Sequence, residues 1–494
     1  MIYVLIILMI SFTRLCSQDA PSSDKVTYRP PTVAGSFYPE NADELKQWIK
    51  KYLDNAKQKK NQNVVALVAP HAGYVYSGWI AGNAYKSVQG NKYDAVIIIA
   101  PSHVSAFRGS SVFDGDAYVT PLGESYVDFE LSKEISNHNK LVRMSRDGHD
   151  WKGDRAEHSL EVQIPFIQTV LPKTKIVPIV MGSQDFESAD ALMKAIVFSV
   201  KKLNRKVLIV ASSDLSHYHD EKTANYLDEQ IVNAFDKFDY FRIALNTFSR
   251  RWEACGGGPI VVAMMSAEQL GANKAQTLIH STSANSPYIK TDSSRVVGYF
   301  TGIIYKDENS DDLLPLISNE NRRKLLEVAK ATIINTAKDK DEIVNIDVPP
   351  SELSGEYATF VTIHKHGQLR GCMGHTIADK NLIAAVEESA KLACSKDPRF
   401  SAVDESELDE LEYEVTVLSR MKRVLNIDEI EPGRDGVLLR LGYNSGLFLP
   451  QVATEQNWDR KTLLEQLGRK AGLSKDAYKE ENAELYIFRG MVIK

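Results

Sequence analysis

Four short apolar runs, at residues 64–69, 95–100, 176–181 and 207–211, constrain the fold of the N-terminal half more than any other feature. Each is rich in β-branched residues, lacks a polar face and ends in a polar loop. Helical patterns, such as residues 189–203, lie between them. Strands apolar on both faces and separated by helices predict an α/β domain with a largely parallel sheet. A further run at 296–305 would close this unit as its last strand.

The composition shifts after that run. Residues 306–312 read Lys-Asp-Glu-Asn-Ser-Asp-Asp, a polar and acidic stretch expected to be a surface linker over 306–317. Beyond it, residues 319–336, 380–394 and 463–473 have helical spacing. Residues 357–365 and 412–419 have strand patterns, and 436–442 with 446–452 read as a hairpin around Tyr443-Asn444-Ser445. The chain is therefore expected to carry an α/β domain over 28–305 and a smaller α+β domain over 318–494. A length of 494 residues suits two large domains or about three ordinary ones. With 43% hydrophobic and 25% charged residues, collagen-like, coiled-coil and low-complexity classes are excluded. The net charge of −6 offers no basic footprint for nucleic acid.

Residues 2–12 are apolar except for Ser11, and Arg14 and Ser17-Gln18-Asp19 follow. About eleven such residues suit the apolar region of a signal peptide and fall short of the roughly 20 that span a bilayer. Residues 1–17 thus read as a signal peptide and the protein as exported, to the periplasm. The run lacks a preceding Lys or Arg, and an uncleaved tether or a mis-called start codon is the other reading. Arg14-Leu15 before Cys16 argues against a lipoprotein signal. No later segment is expected to span a membrane. Of four cysteines, Cys255, Cys372 and Cys394 remain after cleavage, and an odd number leaves a thiol unpaired in an oxidising compartment.

Chemically able residues fall at the strand ends. His71 follows the first run, His103 the second, and Asp214 and His217 the fourth. In open α/β sheets ligands bind beyond the carboxyl ends of the strands, so these residues share the edge where a site belongs. Cys255 lies in Cys-Gly-Gly-Gly-Pro before a helical run at 260–270, with Pro259 suited to the first turn. It is either a thiolate ligand favoured by the helix terminus or a buried structural thiol. Glu157-His158-Ser159-Leu160-Glu161 is expected to open a helix, placing Glu157 and Glu161 one turn apart. The second His of a zinc-protease HExxH motif is missing, so Glu157 and His158 read as outer partners of a metal-bound imidazole or as a solvated helix start. Two imidazoles and an anionic donor with open positions suit iron(II) or another first-row divalent metal. His217 is then the unligated acid–base group.

These strings carry a resemblance. PHAGYVYSG (70–78), APSH (100–103), TPLGE (120–124), EHSLEVQIPF (157–166), SSDLSHY (212–218) and CGGGPI (255–260) resemble the Memo family, or AmmeMemoRadiSam system protein B. That family is similar in fold to class III extradiol dioxygenases, which cleave catechols with non-haem iron. The resemblance implies metal ligands at His71, His103 and Cys255, with Asp214 and His217 lining the site as catalytic groups. It implies iron(II), or alternatively copper, and a small aromatic substrate. Where the dioxygenases have a Glu, a Cys stands here, which is itself oxidisable and leaves a non-catalytic metal-binding or sensing adaptor as the alternative.

LRGCMG (369–374), DPRF (397–400), YEVTVLS (413–419) and LPQVATEQNWD (449–459) resemble AMMECR domains, or AmmeMemoRadiSam system protein A. That resemblance implies a radical-SAM protein as partner. Arg370 and Cys372 stand in a glycine-flanked segment expected to be a loop, either a site for an anionic ligand or a tight turn with the thiol packed inside.

Overall fold

The computed structural model describes residues 27–57, 61, 63–149, 156–308, 313–315, 317–339, 352–353, 355–376, 378 and 380–494. The expected signal peptide, 1–17, lies outside the described residues, as does part of the expected linker. Five strands organise the N-terminal half: β1 (Val64–Ala69), β2 (Ala95–Pro101), β3 (Lys175–Met181), β4 (Val207–Ser212) and β5 (Val296–Tyr305). Their order is β5-β1-β4-β2-β3, within a nine-stranded sheet. Neighbours among β1, β4, β2 and β3 pair in parallel, whereas β5 runs antiparallel to β1. The sheet is therefore mixed, and β5 is not its edge, since His217–His219 and Lys274–Thr282 both pair with it.

Alternation along the strands explains their apolar character. Ala66, Val68, Ile97, Ile99, Val177, Ile179, Ile209 and Ala211 enter one core. Leu67, Ala69, Val96, Ile98, Ala100, Ile176, Val180, Leu208 and Val210 enter the other. Successive side chains point to opposite faces, so a strand covered on both sides must be apolar throughout. Helices Phe186–Lys202 and Gly257–Gln269 contribute to the first core, and Ala42–Asn55, Tyr74–Val88 and Ile164–Val170 to the second.

The C-terminal half is α+β. One antiparallel sheet orders Gln368–Gly374, Thr359–Lys365, Leu411–Leu418 and Gly490–Ile493, and packs against helices Asn319–Ala337 and Leu382–Ser395. A second orders Lys422–Val424, Glu484–Phe488, Gly436–Leu441 and Asn444–Phe448 over helix Arg460–Lys470. The hairpin turns at Gly442-Tyr443, one residue earlier than expected, because Gly442 takes a φ of 60°. Its second strand stops at Phe448, since Pro450 opens a short helix.

Two local expectations fail. Glu157 and His158 precede any helix, and the first helical turn there is Glu161–Gln163. The Arg370–Gly374 segment is not a loop but part of strand Gln368–Gly374. Its glycines admit close neighbours: a Cβ on Gly371 would strike the carbonyl of Ala393, and one on Gly374 that of Thr359. Among the described residues no helix is long and apolar enough to cross a membrane.

Candidate metal centre

Strand order puts the expected residues side by side. β4 lies between β1 and β2, so Asp214 emerges between His71 and His103. His71 donates its backbone N–H to Asp214 Oδ1 at 2.8 Å, which ties two strand ends together. The CGGGP segment then reaches the same edge. Gly256 lies so close to Ser212 and Ser213 that a Cβ there would clash with the Ser212 carbonyl. That approach delivers Cys255, whose Sγ lies 3.2 Å from His71 Nε2 and accepts the Asp214 N–H at 3.2 Å. Gln184, just beyond β3, donates to the Cys255 carbonyl at 2.8 Å.

His71, His103 and His158 form a cluster whose donor atoms all lie within 4.8 Å of one another. Their ring centroids are 4.9 to 5.5 Å apart. Among the described residues this is the group able to hold a metal ion, and Cys255 touches it only through His71. His158, expected as an outer partner, stands in the cluster itself. Glu157 does act on an imidazole: its Oε1 lies 3.0 Å from His103 Nδ1.

Partners set the imidazole tautomers. Ser212 Oγ donates its one hydrogen to the Ser159 carbonyl at 2.6 Å, so toward Gln163 Nε2 and His71 Nδ1, each at 2.9 Å, it can only accept. His71 therefore carries its hydrogen on Nδ1 and presents a bare Nε2. A carboxylate likewise only accepts, so Glu157 places the hydrogen of His103 on Nδ1. This is how proteins orient metal-binding histidines.

The electrostatics suit a cation. Burial, reinforced by His103, His158 and His217, pushes His71 well below its ordinary value. Burial and His103 bring His158 down to about 4. Both are therefore neutral imidazoles at pH 7, whereas for His103 burial is outweighed by the hydrogen bond and charge of Glu157, which raise it. Burial works to raise Glu157, but the hydrogen bond and charge of His103 overcome it and hold the carboxyl at about 2. Burial raises Asp214 to about 6, against the opposing pull of the His71 N–H. Burial and the Asp214 carboxylate push the Cys255 thiol up. His217 is half-buried, and its Nδ1 donates to the Leu215 carbonyl at 2.8 Å. Two neighbours escaped the sequence reading. Phe37 packs on His158 with centroids 4.6 Å apart, and Tyr299 is buried near Asp214.

The donor set passes a chemical test for a first-row metal: His71 and His158 are neutral imidazoles, Glu157 turns the Nε2 of His103 to the cluster, and a thiol lies nearby. A profile of Memo-like proteins matches residues 29–303. The chain belongs to the Memo family. An AMMECR1 profile matches residues 326–493, so the protein joins a Memo domain to an AMMECR1 domain. A MEMO1 family protein of Methanobrevibacter smithii is 34% identical over 286 residues, covering 56% of this chain and 99% of that protein. One from Archaeoglobus fulgidus is 36% identical over 278 residues, covering 56% and 99%. The solved structure of an uncharacterized protein from Pyrococcus horikoshii aligns at 32% identity, with a TM-score of 0.33, over 36% of this chain and 92% of that one.

The residues singled out in the AMMECR1 domain are bound up in its own structure. Arg370 pairs with Glu407 at 2.8 Å and donates to the carbonyls of Ser401 and Ala402. Cys372 donates its N–H to Asp397 at 2.8 Å, and its Sγ accepts from Thr362 at 3.3 Å. Cys255, Cys372 and Cys394 are all free thiols.

Proposed function

We propose that the Memo domain is a non-haem metal centre, with iron(II) preferred over copper, in a dioxygenase-like oxidoreductase of the AmmeMemoRadiSam system. The observation that carries this reading is the convergence of three imidazoles at one strand edge, with the tautomers of His71 and His103 held by Ser212 and Glu157. His71, His103 and His158 would hold the ion, and the adjacent Cys255 thiol would serve as a donor only once the ion had displaced its proton. Such an ion supplies a Lewis-acidic, redox-active centre for a substrate oxygen.

The remaining work falls to the chain itself. Glu157 and Ser212 keep imidazole lone pairs aimed inward. His217, tied through Nδ1 to Leu215, keeps Nε2 free to take a proton from a phenolic hydroxyl. Asp214, with its carboxyl at about 6, exchanges a proton close to neutral pH. Phe37 offers an apolar face to a small aromatic substrate. Metal analysis of anaerobically purified protein tests the centre: about one iron or copper per chain is expected, lost in His71→Ala, His103→Ala and His158→Ala. Full occupancy in the triple variant would refute it. Oxygen uptake with catechols, abolished by His217→Ala, supports the enzyme.

An adaptor that binds or senses metal is the second reading, favoured by the contact of an oxidisable thiol, Cys255, with His71. Silence across the catechol panel with metal bound would select it. In this second reading the AMMECR1 domain docks a radical-SAM protein, which co-purification tests; in the first it binds substrate or a partner. We also assign the protein to the periplasm from the apolar run at 2–12, and fractionation with and without residues 1–17 checks this.

A further inference from the structure

A cavity of about 750 Å³ lies where the Memo and AMMECR1 domains meet. Its volume is that of a small-molecule site, and domain junctions are where such sites concentrate. Lys237, Phe238, Arg242 and Trp252 line it from one domain, and Tyr357 and Arg420 from the other. None of the histidines of the metal centre borders it.

Its charges do not balance. Of the acids at its wall, Glu356 pairs with Arg242, Asp239 accepts the Arg242 N–H at 3.1 Å and attracts Lys237 and Arg420 without touching either, and Asp236 accepts the Thr277 N–H at 2.5 Å. Two cations are short of partners. Lys237 Nζ lies 5.0 Å from the Tyr357 ring centroid and makes no hydrogen bond or close ion pair among the described residues. Arg420 lies over Phe238 at 4.8 Å and gives Nη2 to Glu268 at 2.7 Å. Its Nη1 is buried with no hydrogen-bond partner among the described residues. Burial, together with the charge of Arg242, lowers the pKa of Lys237 against the opposing pull of Asp239. Leaving an ammonium unpaired is costly, and an oxyanion held in the cavity would satisfy Lys237. Trp252 and Tyr357 supply aromatic surface for a flat partner.

We propose that this cavity binds a small molecule in which an oxyanion, phosphate or carboxylate, is joined to a planar ring. Because both domains line the site, the ligand also clamps them together. The inference does not depend on the metal centre. Titration calorimetry on the full chain tests it, with AMP, adenosine, inorganic phosphate and salicylate as probes. AMP or salicylate should bind at a single site and raise the melting temperature, and comparing them tells phosphate from carboxylate. Adenosine and free phosphate should each bind about tenfold more weakly or worse, since each lacks half of the recognition. Lys237→Met should weaken the preferred probe by about tenfold or more while melting cooperatively. The proposal is overturned if neither AMP nor salicylate binds at millimolar concentration, if adenosine binds as tightly as AMP, or if Lys237→Met binds like the parent.

Discussion

At the scale of single residues, the metal centre depends on groups that never touch an ion. Ser212 is the clearest case: with its hydrogen spent on Ser159, it leaves His71 one tautomer. Ser212→Ala should reduce metal affinity by about 10–100-fold with all three imidazoles still present, measured by competition with a chelator. Unchanged affinity would mean that tautomer control is irrelevant. Glu161 is a carboxylate of another kind. It is fully buried, pairs with Arg29 at 2.5 Å and accepts from Tyr38 at 2.6 Å. Burial opposes its ionisation, but Arg29 and these hydrogen bonds prevail and hold it below the ordinary 4.5. A depressed carboxyl stabilises the fold above its unfolded value, and that contribution is lost as pH falls through its folded one. The melting temperature should therefore drop as pH falls below 4.5, and Glu161→Gln should be less stable at pH 7 with a flatter acid profile. His71 and His103 were legible in the sequence because each directly follows an apolar run. His158 was not, because helical spacing assigned it to a helix start when it actually lies in irregular chain against Phe37.

At the scale of elements, the glycine run before helix Gly257–Gln269 decides whether Cys255 reaches the centre. Gly256 faces Ser212 and Ser213, Gly257 meets Thr247, and Gly258 meets Gln184, each too close for a side chain. Gly256 needs no left-handed backbone, as its φ is −108°, so the requirement is purely one of space. Gly256→Ala should cost about 1–3 kcal/mol by overpacking, read by urea unfolding, and should draw Cys255 away from His71. A stability equal to the parent's would show that the backbone relaxes freely. The four parallel strands and helices such as Phe186–Lys202 and Asn319–Ala337 were readable here, since periodicity reports burial directly, whereas Ala42–Asn55, Tyr74–Val88 and Glu221–Asp236 were not singled out. The strand character of Gln368–Gly374 was not: glycines that suggest a turn serve instead to admit the carbonyls of Ala393 and Thr359.

At the scale of the whole molecule, an acidic linker suggests two independent bodies, yet the halves share a core. Leu418, Met421, Leu438, Tyr486 and Phe488 of the AMMECR1 domain join the same apolar cluster as Ile196, Tyr240 and Ile243 of the Memo domain. No periodicity within one half could reveal this, because those residues look like the interior of their own domain. At its centre Arg423, with 2% of its side chain exposed, meets Asp190 through two hydrogen bonds of 2.7 and 3.2 Å. Its remaining donors go to the carbonyls of Val424, Leu485 and Ala483. Tyr240 accepts the Arg423 N–H, and Gln269 donates to its carbonyl at 2.8 Å. Removing one member of such a pair strands a buried charge, so Asp190→Ala should cost about 3–5 kcal/mol. Replacing both, Asp190→Leu with Arg423→Met, should cost less, because no buried guanidinium is then left unpaired and the remaining partner of Asp190, Lys194, is partly exposed. Urea unfolding of the single and double variants measures the difference. If the domains are rigidly coupled, Asp190→Ala should also split one unfolding transition into two. A single unshifted transition in Asp190→Ala would show that the apolar contact alone holds the halves together.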